Sequence, residues 1–540
     1  MGNRAVIIVS VFMFITSMFQ PVVFSHDNHI LYPGPTEDII VMDEDWLVST
    51  EVSYTNTTIY LTGNLTISAG GRLKLINSSV MLNLSKDGQY WVKVYGRLNM
   101  EDLDNDPMTS DDMSAICSNN SANNYNINAK PGSWMMLSNS QIRDHGFSSQ
   151  NKGLVLDTDI VDIRGMIFQD GYYGISVYSD GITIRDSWFL DNRYGVEFYR
   201  SRSTLENCTV SGSLSRGIYP YYAEPTVSEC NVTNNYIGIF DYHSEMTVNR
   251  SWVTGSGGGG IVSYYSNSLY QDCMLSNPLD LDLKMESFPR MLNTTFNHSR
   301  VNVAHGLFAS VGYYSDVLVE DGNGTPMANH TVVIMDQEGN PASGGTTDQS
   351  GWARGLCYTD RFLTEYGALE MGQHRIMALE YLGGNISFGS NTTALWPDSA
   401  PRVTVEQDPA GIDVWAPGKA VDGNESYNGR EILALGQCSV GSGGRLVLNN
   451  SALWLLGTSG GLQMSPVSGE LISINSSFGS ARTSGPLRPE SFQMIIEAGT
   501  VVDMDNTTFT WPKELSRMDV SEKILIALII HPEISGLSIS

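Results

Sequence analysis

A period of 21 or 22 residues constrains the fold of this chain more than any other feature. Glycines recur at one point of a repeated segment, with successive spacings of 21, 21, 22, 21 and 22 residues. The anchoring glycines are Gly153, Gly174, Gly195, Gly217, Gly238 and Gly260. Each unit holds short β-favouring runs separated by polar turns and lacks a helical period. A unit this short cannot bury its apolar face alone, so neighbouring units must stack.

Other positions keep the same register and predict which side chains point inward. One apolar column contains Ile163, Ile184, Leu205, Val227, Val248 and Tyr270. A second contains Phe168, Phe189, Val210, Val232, Val253 and Leu275. A third, mostly of small residues, contains Met166, Ser187, Cys208, Cys230, Ser251 and Cys273. The residues after the glycines, predicted to face the core, are Ile175, Val196, Ile218, Ile239 and Ile261.

These columns predict an all-β, right-handed parallel β-helix with coils of 21–22 residues. Coils stacked about 4.8 Å apart would pair every strand with its neighbours above and below. Right-handedness is expected because nearly all parallel crossovers have that hand. A β-propeller or sandwich array is the alternative, but those architectures need roughly 40 or more residues per blade.

The cadence Gly-Ile, Tyr, turn, Ile-x-Asn/Asp-Ser/Cys, as in YYGISVYSDGITIRDSWF at 172–189, resembles a known repeat. It is similar to NosD-type and related carbohydrate-binding or sugar-hydrolase β-helix repeats of the pectate-lyase fold class, over about residues 55–310. The resemblance implies the fold but no single activity, because this architecture hosts lyases, hydrolases, epimerases, adhesins and inert scaffolds. The nine histidines show no metal-binding spacing, so copper is not carried over.

A looser motif predicts a second β-helix-like segment. Gly70–Val80 matches Gly443–Leu453, and the next coil begins 25 residues on in both copies, at Gly96 and Gly469. Between them, strand–turn–strand runs followed by Thr-Asp-x-x-Gly at 347–351 resemble carboxypeptidase-regulatory-like β-sandwich modules. A hairpin-rich insertion is the alternative. The predicted organisation is signal peptide 1–25, β-helix 26–310, β-sandwich 311–396, second β-helix-like segment 397–512 and C-terminal tail 513–540.

The N-terminus has the layout of a secretory signal. Arg4 precedes an apolar run over 5–19, and cleavage after Ser25 fits the small-residue rule. An uncleaved anchor is the alternative, and no later run reaches bilayer length. Asn-x-Ser/Thr sequons recur from Asn56 to Asn506 and suggest a glycoprotein. The expected location is therefore extracellular, at the cell surface, and the domain mix is similar to exported proteins of archaea.

The charge balance and one acidic loop bear on ligands. With 58 Asp+Glu against 31 Lys+Arg, the formal charge of −27 argues against nucleic acid as a partner. Asp102, Asp104, Asp106 and Asp111 alternate as the oxygen donors of a calcium loop do, so Ca²⁺ is the one cofactor considered. The glycine and glutamate of an EF-hand are missing, and a solvated acidic turn is the alternative.

Tyrosines four residues after the glycines form the sharpest candidate binding site. They are Tyr178, Tyr199, Tyr221, Tyr242 and Tyr264. Rings spaced by one coil could stack on sugar rings, or they could pack against one another. Cys208 and Cys230 lie on adjacent coils; ladder packing of free thiols is expected, with a disulfide as the alternative.

No catalytic residues are predicted. Asp186, Glu206 and Glu229 lie on successive coils, but at turn positions where polar residues are expected anyway. The sequence therefore favours a non-enzymatic surface scaffold that binds glycans or other cell-envelope proteins. The alternative is a carbohydrate-active enzyme, either a polysaccharide lyase or a glycoside hydrolase, which would need clustered carboxylates with a basic residue or a carboxylate pair.

Overall fold

In a computed structural model of the protein, the repeat forms coils whose strands lie in parallel sheets, as predicted. Residues 38–310 contribute to three such sheets, called sheet 1, sheet 2 and sheet 3 in the order in which a coil visits them. The structure describes residues 38–102, 104, 112–335, 341–382, 385–397, 399–407, 409–415, 418–457, 463–482, 493–496, 501–505, 507–509, 528–530 and 538–539. The predicted signal peptide lies outside these residues.

Sheets 1, 2 and 3 each pair strands from one coil to the next. Sheet 1 contains Asp38–Met42, Thr57–Leu61, Ser79–Leu82, Ala115–Ser118, Gln141–Arg143, Ile167–Gln169, Trp188–Leu190, Thr209–Ser211, Asn231–Thr233, Trp252–Thr254 and Met274–Ser276. Sheet 2 contains Trp46–Val48, Leu65–Ile67, Trp91–Val94, Asn126–Ala129, Gly153–Leu156, Tyr173–Val177, Tyr194–Tyr199, Arg216–Tyr221, Ile237–Tyr242, Gly259–Tyr264, Leu281–Lys284 and Val301–Val303. Sheet 3 contains Glu51–Thr55, Arg72–Ile76, Arg97–Glu101, Trp134–Ser138, Val161–Arg164, Thr183–Arg185, Thr204–Glu206, Thr226–Ser228, Thr247–Asn249, Leu269–Gln271, Arg290–Leu292 and Phe308–Asp321. A short 3-10 helix spans His298–Arg300.

The predicted apolar columns form the core. In sheet 3, Ile163 pairs with Ile184 and Ile184 with Leu205, and all three side chains are buried. The column that begins at Phe168 is in register on sheet 1, and the residues that follow the glycines are fully buried on sheet 2. The cysteines of the third column are buried and free, so the alternative Cys208–Cys230 disulfide does not form.

The glycine period follows from close backbone contact between coils. A Cβ atom on Gly195 would lie 2.5 Å from the carbonyl oxygen of Gly217, and one on Gly217 would lie 2.6 Å from that of Gly238. No side chain fits at such distances. The repeated glycine is therefore a packing requirement at the entry to each sheet 2 strand.

Asparagine side chains satisfy the backbone at the neighbouring corner, between sheets 1 and 2. The Asn192 side chain donates to the Phe168 carbonyl at 2.9 Å and accepts from the Gly171 amide at 2.8 Å. Asn235 and Asn277 repeat this arrangement on later coils. Because buried backbone groups need partners, these amides stabilise the turns from inside.

The period breaks where a module of antiparallel strands begins. Phe308–Asp321 starts as a parallel neighbour of Arg290–Leu292 and continues as an antiparallel partner of Trp352–Thr364. The predicted boundary at 310/311 thus falls inside one strand, and Arg402–Gln407 extends the module past 396. The other strands of the module are Thr331–Met335, Pro341–Thr346, Gly367–Glu370, Gln373–Leu382 and Asn385–Ala394.

The predicted second β-helix-like segment has three five-stranded parallel sheets and a separate core. Its strands are Ile412–Trp415, Ala420–Val421, Asn424–Asn428, Glu431–Ala434, Cys438–Val440, Arg445–Asn449, Ala452–Gly457, Gln463–Val467, Glu470–Ile474, Ser477–Arg482, Gln493–Ile496, Val501–Asp505, Thr508–Phe509, Leu528–Ile530 and Ser538–Ile539. The last two lie within the predicted tail. The matched entry motifs are equivalent, because a Cβ on Gly71 or Gly444 would approach a carbonyl of the previous coil to 2.0 or 1.9 Å.

Candidate functional site

The outer face of sheet 2 carries the candidate site. On the strand Tyr194–Tyr199, Val196 and Phe198 are fully buried in the core, so Glu197 and Tyr199 lie on the outer face. In the next coil, Tyr219 pairs with Glu197 and Tyr221 with Tyr199. Repetition of this register produces columns of outward side chains that run along the axis of the β-helix. We call this face, from Tyr173 to Lys284, the tyrosine wall.

The five tyrosines predicted as ligand-binding residues form one column of the wall. The rings of Tyr178 and Tyr199 have centroids 4.8 Å apart, those of Tyr199 and Tyr221 are 5.5 Å apart, and those of Tyr221 and Tyr242 are 5.2 Å apart. Interplanar angles of 29°, 7° and 5° make these pairs face-to-face stacks. Tyr264 continues the column with a tilted ring at 6.3 Å. The rings therefore pack on one another along the helix axis.

Cations cover the two ends of this column. The Lys152 ammonium lies 5.2 Å from the ring centroid of Tyr178, and the Lys284 ammonium lies 5.8 Å from that of Tyr264. With neighbours on both sides, the ring faces are occupied. The column consequently presents ring edges and phenol hydroxyls outward. Among the described residues, no hydrogen-bond partner is found for the hydroxyls of Tyr199, Tyr221 and Tyr242.

A buried ion pair underlies one end of the wall. Lys152 donates to the Glu197 carboxylate at 2.5 Å, and these side chains are 13% and 3% exposed. The Lys152 ammonium also lies 4.9 Å from the ring centroid of Tyr173. Burial acts to lower the pKa of Lys152, but the charge of Glu197 and hydrogen bonds outweigh it and raise the pKa. Burial raises the pKa of Tyr173 as well.

A second aromatic stack follows the corner between sheets 2 and 3. His243 lies between Tyr222 and Tyr265, with centroid distances of 4.4 and 4.3 Å and interplanar angles of 7° and 9°. All three residues have φ between 50° and 53°, a left-handed conformation that bulky side chains rarely adopt. Left-handed residues recur at the corners of successive coils, and this corner is unusual in having large aromatic side chains there. This corner stack adjoins the tyrosine wall, since Tyr221 and Tyr222 meet edge to face at 4.9 Å.

The strands under the wall also contain a buried carboxyl group. Asp241 is fully buried on the inner face of Ile237–Tyr242 and accepts a hydrogen bond from the Tyr270 hydroxyl at 3.2 Å. Burial raises its pKa to about 7. Asp144, nearer the N-terminus, has a pKa raised to about 6, also mainly by burial. An aspartate inside the coil was not predicted; on the next coil its position is occupied by the buried Ser263.

The predicted calcium loop is only partly described. Asp106 and Asp111 lie outside the described residues. Asp102 is buried, accepts a hydrogen bond from the Asn139 amide at 3.4 Å, and has a pKa that burial raises. Asp104 is exposed. Within the described ranges, no group of three or more His, Cys, Asp or Glu side chains could hold a metal ion, so Ca²⁺ remains a prediction.

The carboxylates considered for catalysis lie elsewhere. Asp186, Glu206 and Glu229 belong to the outer face and corner of sheet 3, where each meets an arginine of an adjacent coil. They are therefore ion-paired surface groups on a different face from the tyrosines. The sequence patterns did not reveal the Lys152–Glu197 pair or the corner stack, because both depend on contacts across coils. The spacing of Tyr222, His243 and Tyr265 by one coil, at 21 and 22 residues, was the available signal.

Comparisons with known proteins agree with the fold. Residues 125–277 match the family described as a right handed beta helix region, which covers the regular coils and the five tyrosines of the wall column. The protein is thus of the right-handed parallel β-helix class. No curated protein matches the chain. In the described part of the chain, no helix is long and apolar enough to cross a membrane.

Among solved structures, the chain is similar to the full-length tailspike protein 2 of Escherichia coli O157:H7 bacteriophage CAB120. The identity is 10% and the TM-score is 0.25, and the alignment covers 65% of this chain. The chain spans 62% of the length of that tailspike.

Proposed function

We propose that this chain is an exported β-helix scaffold of the cell surface whose tyrosine wall binds glycans without degrading them. The observation that carries the proposal is the row of half-buried tyrosines whose faces are stacked and whose hydroxyls at Tyr199, Tyr221 and Tyr242 lack partners among the described residues. Hydroxyls repeated about every 5 Å along a rigid sheet suit a ligand with a repeated pattern of oxygens. A sugar polymer has that character.

The binding mode follows from the ring geometry. Stacking of a sugar on an aromatic ring needs a free ring face, and the faces between Tyr178 and Tyr242 are occupied by stacking of the tyrosines on one another. The ligand would therefore lie across the ring edges and form hydrogen bonds with the hydroxyls. The corner stack of Tyr222, His243 and Tyr265 would border the ligand on the sheet 3 side. Because all these groups lie on paired strands or their corners, little conformational freedom would be lost on binding.

Export and surface location rest on the sequence alone. The signal-like N-terminus, the recurring sequons and the acidic charge support them. Envelope proteins are the second partner class, and they would use the same exposed faces of the coils.

A glycan array combined with a degradation screen tests the proposal. The purified full chain should bind a subset of immobilised glycans and should release neither unsaturated nor reducing sugars from soluble polysaccharides. Release of either product would instead support the carbohydrate-active enzyme as the function. Absence of binding to any glycan would contradict the proposal.

A further inference from the structure

The basic residues on the outer faces of sheets 2 and 3 have different partners. On sheet 3 and its corners, arginines meet carboxylates of neighbouring coils. The pairs, with their N–O distances, are Arg164–Asp186 at 3.7 Å, Arg185–Glu206 at 2.9 Å, Arg202–Glu224 at 3.1 Å and Arg250–Glu229 at 2.9 Å. The positive charge of this face is therefore neutralised within the protein.

The tyrosine wall contains three arginines that lie against aromatic rings. The Arg216 guanidinium lies 3.7 Å from the ring centroid of Phe240 and 4.2 Å from that of Tyr219. Arg193 lies 5.3 Å from the ring of Tyr172, and Arg200 lies 5.5 Å from that of Tyr199. Within the described ranges, none of the three arginines has a carboxylate within ion-pair distance.

These arginines belong to two adjacent coils. Arg193 and Arg200 flank the strand Tyr194–Tyr199, and Arg216 begins the next strand of sheet 2 and pairs with Tyr194. Arg193 and Arg200 are exposed and Arg216 is half-buried. Three positive charges thus lie along the outer face of two adjacent coils, Arg200 beside Tyr199 and the other two near the start of the strands, in a protein whose formal charge is −27.

The aromatic rings of the wall also present partial positive charge to the outside. An aromatic ring carries negative charge on its face and positive charge at its edge. In the tyrosine column the faces are stacked, so the outward surface consists of positive edges and hydroxyl donors. Arg216 and its neighbours cover other ring faces. Ring edges, hydroxyls and guanidinium groups all complement negatively charged oxygen atoms.

We infer that the ligand of the tyrosine wall is an anionic glycan, whose sulfate or carboxylate groups bind Arg193, Arg200 and Arg216. This inference rests on the proposed function and specifies its substrate class. Guanidinium groups are the preferred partners of planar carboxylates and of sulfate-like oxyanions. The carboxylates elsewhere on the protein do not prevent this, because charges more than about 8 Å away are largely screened at physiological salt.

Three forms of one polymer test the inference. Dextran, dextran sulfate and carboxymethyl-dextran share a backbone and differ in charge, so binding of each to the immobilised full chain isolates the role of the anion.

The test variant is Arg193→Gln/Arg200→Gln/Arg216→Gln. The control variant, Arg164→Gln/Arg185→Gln/Arg202→Gln, removes the same charge from the ion-paired face. We expect the charged polymers to bind more tightly than dextran, and the test variant to weaken their binding about tenfold or more. The control should change it by less than about threefold.

The outcomes separate the two proposals. Equal binding of dextran and its charged forms would overturn the anionic ligand while leaving glycan binding intact. Equal losses in the test and control variants would show attraction to net charge and would also overturn it. If the glycan array shows no ligand of any kind, the proposed function itself fails. Thermal unfolding of both variants checks that their folds are retained, and stronger loss with dextran sulfate than with carboxymethyl-dextran would identify sulfate as the preferred group.

Discussion

The outer faces of sheets 2 and 3 belong to the same coils and share one backbone geometry, yet they have different surfaces. On sheet 3, Thr204, Thr226 and Thr247 form an outward column beside cross-coil ion pairs. On sheet 2, stacked tyrosines, a buried ion pair and unpaired arginines form the wall. In a β-helix the repeat places like residues on one another. The inward columns therefore specify the fold, and the outward columns are what distinguish one face from another.

The corners show the same contrast. Between sheets 3 and 1, the left-handed position is mostly Asn, Asp or Gly, the residues that adopt it most easily. Between sheets 2 and 3 it is occupied by Arg200, Tyr222, His243, Tyr265 and Met285. Bulky left-handed residues therefore predominate beside the wall, although Glu229 and Arg250 adopt the same conformation between sheets 3 and 1.

Loss of the buried ion pair should have the largest effect on stability. Glu197→Ala leaves the Lys152 ammonium buried without its partner, which typically costs about 3–5 kcal/mol. The matched change on sheet 3, Glu206→Ala, removes half of an exposed pair and should leave the unfolding midpoint almost unchanged. Urea denaturation followed by tryptophan fluorescence measures both variants. Equal shifts would remove the distinction between the two faces.

The buried carboxyl under the wall should make stability depend on pH. The pKa of Asp241 is raised to about 7 from an ordinary value of 3.8. Its neutral form is thus favoured in the folded state, and this stabilisation is complete below about pH 4 and lost as the pH rises through 7. Asp241→Asn should therefore gain about 2 kcal/mol or more over wild type between pH 4 and pH 8, since one pKa unit corresponds to about 1.4 kcal/mol. Thermal unfolding at both pH values checks this, with Asp186→Asn at the exposed corner as the control that should show no such gain.

Shortening a ring within the column should have a smaller effect. Tyr221→Leu removes stacking on Tyr199 and Tyr242 and should destabilise by about 1–2 kcal/mol, because each aromatic pair contributes about 0.5–1.5 kcal/mol. Tyr221→Phe keeps the rings and should be close to wild type. Chemical denaturation of both variants gives the comparison. A Tyr221→Leu variant as stable as wild type would mean that the stack contributes nothing to the fold.

The sequence predicted the coils well because the inward columns repeat. Ile184 and Leu205, for example, are 21 residues apart and pair across coils in the predicted register. It predicted the tyrosine column for the same reason, but not the orientation of its rings. Ring stacking depends on side-chain angles, and the Lys152–Glu197 pair joins residues 45 positions apart across the wall. Neither follows from a pattern with a period of one coil.

The geometry of the corners explains four of the Asn-x-Ser/Thr sequons. Asn77, Asn207, Asn293 and Asn475 occupy left-handed corner positions with φ between 43° and 50°. The next residue of each sequon is buried, and the following Ser or Thr begins a sheet strand or lies beside one. The Asn207 side chain donates to Asp186 at 2.7 Å on the adjacent coil. A corner built this way produces Asn-x-Ser/Thr without selection for glycans, so these four sequons are weak support for glycosylation.

Removal of hydroxyls from the two faces tests the central claim most directly. The variant Tyr199→Phe/Tyr221→Phe/Tyr242→Phe keeps the stacked rings and deletes three hydroxyls of the wall. Its match, Thr204→Val/Thr226→Val/Thr247→Val, deletes three hydroxyls of sheet 3. Calorimetric titration with the strongest ligand of the glycan array should show binding weakened about tenfold or more by the first variant and unchanged in the second. Equal affinity of both variants and wild type would contradict glycan binding by the tyrosine wall.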